Sequence, residues 1–221
     1  MERILFCWSG GKDSAMALHE IQKAQTYSIE AIMTTVTQDY DRISMHGVRR
    51  TLLEMQAASI GLPLEIVHIS SKASNEEYEL KMAKVLSGYK ELGIRTVAFG
   101  DIFLEDLRAY REEKLATVGM KGIFPIWKQD TAELSRSLSK NGFRAITTCI
   151  DTKKLGKEFV GRIIDEQFLS QLPTSVDCCG ENGEYHSFVY DGPIFDKEVR
   201  FSLGEKVLRD RRYYYCDLIP N

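Results

Sequence analysis

The 221-residue chain has few cysteines and no long hydrophobic run, and each shortage removes a class of protein. Its five cysteines are Cys7, Cys149, the adjacent Cys178 and Cys179, and Cys216. They are too sparse for a disulfide scaffold. Without a C-x-x-C pair they also make a structural zinc site a poor expectation. No apolar stretch approaches the roughly 18 residues of a membrane span. Met-Glu-Arg leads into only five apolar residues, Ile4 to Trp8, shorter than the hydrophobic stretch of a signal peptide. No asparagine opens an N-x-S/T sequon. The expectation is a cytoplasmic, soluble chain with no membrane partner. A basic excess is missing too: 29 Lys and Arg face 32 Asp and Glu, a net charge of -3. Nucleic acid held by bulk charge is therefore not expected, although a local basic groove stays open.

What is present is an ordinary globular composition, 43% apolar and 28% charged, at a length suited to one large or two unequal domains. Apolar runs and helical stripes alternate over the first hundred residues. Strands are predicted at Arg3–Trp8, Ser28–Val36, Leu64–Ile69 and Arg95–Phe99. Helices are predicted at Asp13–Lys23, His46–Ile60 and Asn75–Leu92. This rhythm predicts a doubly wound parallel α/β sheet. It then changes: helices at Leu104–Val118, Thr131–Lys140 and Gly156–Phe168, an apolar segment at Gly122–Trp127, and a strand at Arg144–Ile150. Beyond the loop at Asp177, alternation at Tyr185–Tyr190, Val199–Leu203 and Val207–Leu218 predicts antiparallel strands. The expected division is residues 1–128 and a smaller α+β part, 129–221, packed together because no low-complexity linker separates them.

Ser9-Gly10-Gly11-Lys12-Asp13-Ser14 lies between a buried strand and a helix. Glycines let a backbone approach phosphate, and the helix N-terminus attracts anions. Lys12 adds a mobile positive charge, and Ser9 and Ser14 can donate or cap. Asp13 stands where a Walker A loop needs Ser or Thr. A carboxylate among phosphates calls for a bridging cation, so Asp13 points to Mg²⁺. A tight turn with a polar cap would need less than this.

Gly100-Asp101 follows the fourth strand, at the sheet edge where open α/β folds bind ligands. Asp101 could position Mg²⁺ or an amine, or simply cap the next helix. Glu181-Asn182-Gly183-Glu184, with His186 beyond, packs carboxylates and donors into one turn. Such groups can bind ammonium, deprotonate an amine or stabilise developing charge, and the same residues equally suit a polar hairpin approach. Lys153, Lys154 and Lys157 suit a solvated helix start. Arg209, Arg211 and Arg212 beside Tyr213–Tyr215 fit an alternating terminal strand.

The loop resembles the S-G-G-x-D-S motif of the PP-loop ATP pyrophosphatases, within the adenine nucleotide alpha-hydrolase fold. The wider chain resembles the diphthine–ammonia ligase (diphthamide synthetase) family. The matches are Gly100-Asp101-Ile102, Arg108 with Glu112, Pro125-Ile126-Trp127, Leu155-Gly156 and Asp177 to His186. The Glu181-Asn182-Gly183-Glu184 form is more similar to bacterial members than the Glu-Gly-Gly-Glu of archaeal and eukaryotic ones.

The resemblance implies an adenylate-forming amide ligase in which carboxylate, ammonia and ATP give amide, AMP and pyrophosphate. Ser9 to Ser14 and Gly100 would then hold Mg·ATP. Glu181, Asn182, Glu184 and His186 would serve the ammonia step beside Lys12, Asp13 and Asp101. Thr34 and Thr35, ending the second strand, would lie beside adenine. It also tilts Arg108 and Glu112, otherwise a surface ion pair, towards the substrate. His46, with Arg49 and Arg50 nearby, suits either ATP or solvent. The carboxylate, a modified protein side chain among the options, stays open, as does the oligomeric state, a homodimer included. A tRNA-modifying relative would need a basic surface and a sulfur-handling cysteine, and neither is visible. A non-catalytic ATP sensor would leave Lys12, Asp13 and the 181–186 cluster without a task.

Overall fold

The computed structural model describes residues 1–44 and 46–221. Its first sheet contains β1 (Glu2–Cys7), β2 (Tyr27–Thr37), β3 (Arg42–Ile43), β4 (Leu64–Ile69), β5 (Thr96–Ala98) and β6 (Lys121–Ile123). The parallel strands run β4-β2-β1-β5-β6, with β3 a short antiparallel addition to Val36–Thr37. The continuous apolar run of β1 is explained by burial on both faces: Ile4, Leu5 and Phe6 are fully covered. Ile4 and Phe6 pack with Leu18 and Ile21 of α1 (Lys12–Ala24) and with Leu52 and Leu53 of α2 (Arg50–Ile60). Leu5 packs on the opposite side with Leu86 of α3 (Asn75–Glu91) and Leu115 of α4 (Glu105–Thr117). The sheet is thus doubly wound, as its alternating pattern predicts. β1 has β2 on one side and β5 on the other, so the strand order reverses there and a crevice opens at its carboxyl end.

After α5 (Thr131–Lys140) comes a second, antiparallel sheet, with α6 (Glu166–Gln171) between its first two strands. They are β7 (Arg144–Asp151), β8 (Tyr185–Asp191), β9 (Phe201–Arg209) and β10 (Tyr213–Pro220), in the order β8-β7-β10-β9. Phe168, Tyr185, Phe188 and Cys216 bury its inner face in the same core as α1 and α2. No helix among the described residues is long and apolar enough to cross a membrane.

The structure departs from the sequence expectations in three elements. The helix expected from His46 begins at Arg50, because Arg49 is still extended and Arg42 and Arg49 are both bound by Asp217 of β10. Met45 lies outside the described residues. Gly156–Phe168 is not one helix but a single 3₁₀ turn, Lys157–Phe159, then an extended stretch and α6. Ile163 bridges to Ile146, and Gly161 turns left-handed where a Cβ would sit 3.0 Å from Cys216 Sγ. Lys153 and Lys154 therefore lie in a turn and Lys157 opens only the 3₁₀ turn, so none of them starts an α-helix. Val207–Leu218 is divided by a tight turn in which Asp210 and Arg211 both take positive φ, a hairpin geometry.

Candidate active site

α1 starts on Gly11, which supplies no side-chain cap. Its first amide is instead satisfied from the second sheet: Lys12 N–H donates to Ser187 Oγ at 3.1 Å. Gly10 takes φ 75, and its carbonyl accepts from Val189 N–H and from Gln56 Nε2. Gln56 is fully buried; it also donates to the Val189 carbonyl at 2.6 Å and accepts from the Trp8 indole at 2.9 Å. One glutamine side chain therefore ties β1, the glycine turn and β8 together. Within the loop, Ser9 Oγ and Ser14 Oγ are 3.1 Å apart, and Ser14 Oγ donates to the Gly11 carbonyl. Gly100 fits because it has no side chain: a Cβ there would sit 2.9 Å from the backbone of Asp13 and Ser14.

Lys12 is not the mobile charge its sequence context suggests. It is 3% exposed, with Nζ 2.8 to 2.9 Å from both Asp13 carboxylate oxygens and donating to the Cys179 carbonyl. Its ammonium also lies over the Tyr185 ring. Burial alone would lower its proton affinity, but the Asp13 carboxylate beside it raises it, so Lys12 stays charged. Asp13 is half-buried. Among the described residues no group of three His, Cys, Asp or Glu side chains could hold a metal. A divalent ion here would rest on Asp13 and on the phosphates of a bound nucleotide, an arrangement suited to Mg²⁺.

The turn from Asp177 to Glu184 forms the opposite wall. Asp177 organises it: Oδ1 accepts from the backbone of Cys179 and Glu181, and Oδ2 from Thr131 Oγ1 at 2.7 Å. Glu181 reaches across to the first sheet, where its Oε1 accepts from Ile102 N–H at 3.0 Å. Burial, with Asp13 and Asp101 nearby, pushes the Glu181 carboxyl up to about 7 against that hydrogen bond. Glu184 is buried, with Oε1 accepting from Asp177 N–H and Asn182 Nδ2. The His186 ring packs against His46 at 4.7 Å, and His46 Nδ1 is 3.1 Å from the Ser187 carbonyl. Burial, with His46 and Lys12 beside it, lowers His186 to about 3, so it is neutral; burial lowers His46 as well. Cys179 is buried, and desolvation pushes its thiol well up, against thiolate chemistry.

The other residues singled out in the sequence divide. Asp101 caps no helix, since α4 begins at Glu105; Arg111 of α4 pairs with it at 2.7 Å. Thr34 and Thr35 do not end β2, which runs on to Thr37, but they lie just past Met33, the last β2 residue paired with β1. Thr34 Oγ1 is buried without a partner. Arg108 and Glu112 form a 2.9 Å pair on α4, the guanidinium lying 4.7 Å from the Phe124 and Trp127 ring centres. None of their hydrogen bonds among the described residues reaches the glycine loop or the 177–184 turn.

Models of the diphthamide synthase N-terminal and C-terminal domains match residues 2–122 and 130–218. The chain belongs to the diphthamide synthase family. Relatives named diphthine--ammonia ligase are 26% identical in Danio rerio and 21% identical in Homo sapiens. Each alignment covers 93% of this chain, and 89% and 85% of those proteins respectively. A Schizosaccharomyces pombe relative of the same name is 23% identical, but only 37% of its length is covered.

In this diphthamide synthase fold, sequence reasoning missed Gln56, Arg111 and Ser187. Gln56 carried a signal, a polar residue at a buried spacing between Leu52, Leu53 and Ala57. Arg111 and Ser187 carried none, because their partners lie on separate elements.

Proposed function

We propose that the chain is an ATP-dependent amide ligase like its diphthine–ammonia ligase relatives, activating a carboxylate as an acyl-adenylate. The carboxylate oxygen attacks the α-phosphorus of ATP, and pyrophosphate leaves. Ammonia then attacks the acyl carbon, AMP departs with the bonding electrons, and the nitrogen sheds a proton to give the amide. Ser9 to Ser14 receives the pyrophosphate at the N-terminus of α1, and Lys12, fixed rather than mobile, supplies compensating charge. Asp13 would hold Mg²⁺, which would offset the charge of the phosphates. Glu181, with its carboxyl near 7, accepts a proton from the incoming nitrogen. Asn182, Glu184 and His186 line the same wall, and Asp101, paired with Arg111, lies near Glu181. In this reading residues 1–128 bind ATP, Thr34 and Thr35 lying beside the adenine. Residues 129–221 bind the carboxylate, and the enzyme works in the cytoplasm.

The observation that carries the reading is the meeting of the Ser9–Ser14 turn and the neighbouring Ile102 backbone with the 177–189 segment, fastened by Lys12, Gln56 and Glu181. A sensor would not need a half-buried carboxylate poised near neutrality opposite a phosphate loop. The test is product analysis of Mg·ATP, ammonium and protein, with and without fractionated host extract. AMP and pyrophosphate appearing with a stimulating fraction is the expected result, and that fraction contains the carboxylate. Formation of ADP in place of AMP would overturn the reading.

A further inference from the structure

The peptide joining Gly10 to Gly11 is flanked by two residues without a Cβ. Rotating it changes only ψ of Gly10 and φ of Gly11, and no side chain opposes either. A flip would exchange its N–H for its C=O, and a carbonyl oxygen facing a phosphate repels it. A phosphate loop built on Gly-Gly therefore needs an outside group to hold this peptide in one orientation.

That group is Gln56 of α2, fully buried and 46 positions along the chain from Gly10. The two protons of its Nε2 go to the Gly10 carbonyl at 3.0 Å and the Val189 carbonyl at 2.6 Å. Its Oε1 accepts from the Trp8 indole at 2.9 Å, which fixes the end of the amide that faces the loop. Val189 N–H gives the Gly10 carbonyl a second donor at 2.9 Å. A planar trans peptide carries its N–H and C=O on opposite sides. With the carbonyl held towards Gln56 and Val189, the Gly11 N–H is turned away from both. It lies at the start of α1, with a long 3.3 Å contact to Ser9 Oγ. The next amide, Lys12 N–H, is already taken by Ser187 Oγ.

We propose that Gln56 is a positioning residue for pyrophosphate: by gripping the Gly10 carbonyl it keeps the Gly11 N–H turned to the leaving phosphates. It acts through the loop and not by contact with the ligand. The assignment rests on the reading of Ser9 to Ser14 as the pyrophosphate loop.

The test takes the full chain with isotope-labelled glycine and inorganic pyrophosphate, reading affinity by calorimetry and the Gly11 amide by NMR. In the unmodified protein pyrophosphate binds and moves the Gly11 resonance downfield. Gln56→Met fills the same space without a donor. It should bind pyrophosphate about tenfold more weakly, as expected when one charge-assisted hydrogen bond is lost, and its Gly11 resonance should stay in place at saturating ligand. Gln56→Asn, which withdraws the amide by one methylene, should behave in the same way and serves if the methionine variant does not fold. Leu138→Ala, a core truncation in α5 outside the loop and its partners, controls for lost stability and should keep both the affinity and the Gly11 response. Unchanged affinity and Gly11 response in the Gln56 variants, or an equal loss in Leu138→Ala, would overturn the role of Gln56 and leave the phosphate loop standing. An unmodified protein that does not bind pyrophosphate would overturn both.

Discussion

Replacing Glu181 with glutamine isolates the electrostatics of the 177–184 turn. In the folded protein, burial first, then Asp13 and Asp101, push the Glu181 carboxyl from 4.5 to about 7, with the Ile102 N–H opposing. A displacement of this size corresponds to about 3 kcal/mol. The folded state binds the proton more tightly than the unfolded chain. Stability from this group is therefore fully present below pH 4.5 and is lost as pH rises through about 7. The substituted amide carries no charge, yet its carbonyl can still accept from Ile102 N–H. Urea unfolding of the two proteins across this pH range should show the wild type losing about 2–3 kcal/mol relative to Glu181→Gln. Curves that stay parallel over the whole range would refute the assignment of an elevated carboxyl. If Glu181 is also the proton acceptor, turnover of the wild type should rise through the same pH range and Glu181→Gln should lack that limb.

Three further outcomes follow from the packing. Gln56→Leu removes partners from the Trp8 indole and from the Gly10 and Val189 carbonyls, and should cost about 2–4 kcal/mol in urea unfolding. Gly100→Ala places a methyl 2.9 Å from the Asp13 and Ser14 backbone; about 1–3 kcal/mol of stability should be lost, and calorimetry should show weaker ATP binding. Burial alone would raise Asp217, but hydrogen bonds from Arg49 and Arg42 hold it down at about 2. Its contribution is present above the unfolded value of 3.8 and lost as pH falls through about 2. Asp217→Asn should therefore cost about 1–3 kcal/mol at neutral pH, with a smaller penalty in acid.

The order of elements in the first sheet, the glycine loop at its switch point and the acidic turn before β8 were legible in the chain itself. Each rests on local chemistry: a run of Ile4, Leu5 and Phe6 buries on both faces whatever surrounds it, and Ser9 to Ser14 turns by its own glycines. Local pattern could not foresee where a remote group overrides propensity. The stripe before Arg50 stops being helical because Asp217, far along the chain, takes Arg42 and Arg49. Gly156–Phe168 carries a helical spacing, but pairing with Ile146 and the close approach of Cys216 break it.

The same division runs through the site. Residue types came from sequence, whereas the charge state of Glu181, the immobilisation of Lys12 and the neutrality of His186 came from burial against distant partners. Desolvation and Coulomb attraction depend on what lies within a few ångströms in space, and the chain brings Ser187 to Lys12 only when β8 lies on the glycine loop. Sequence determined which groups the protein could use; tertiary structure decided which of them are charged, held or left free.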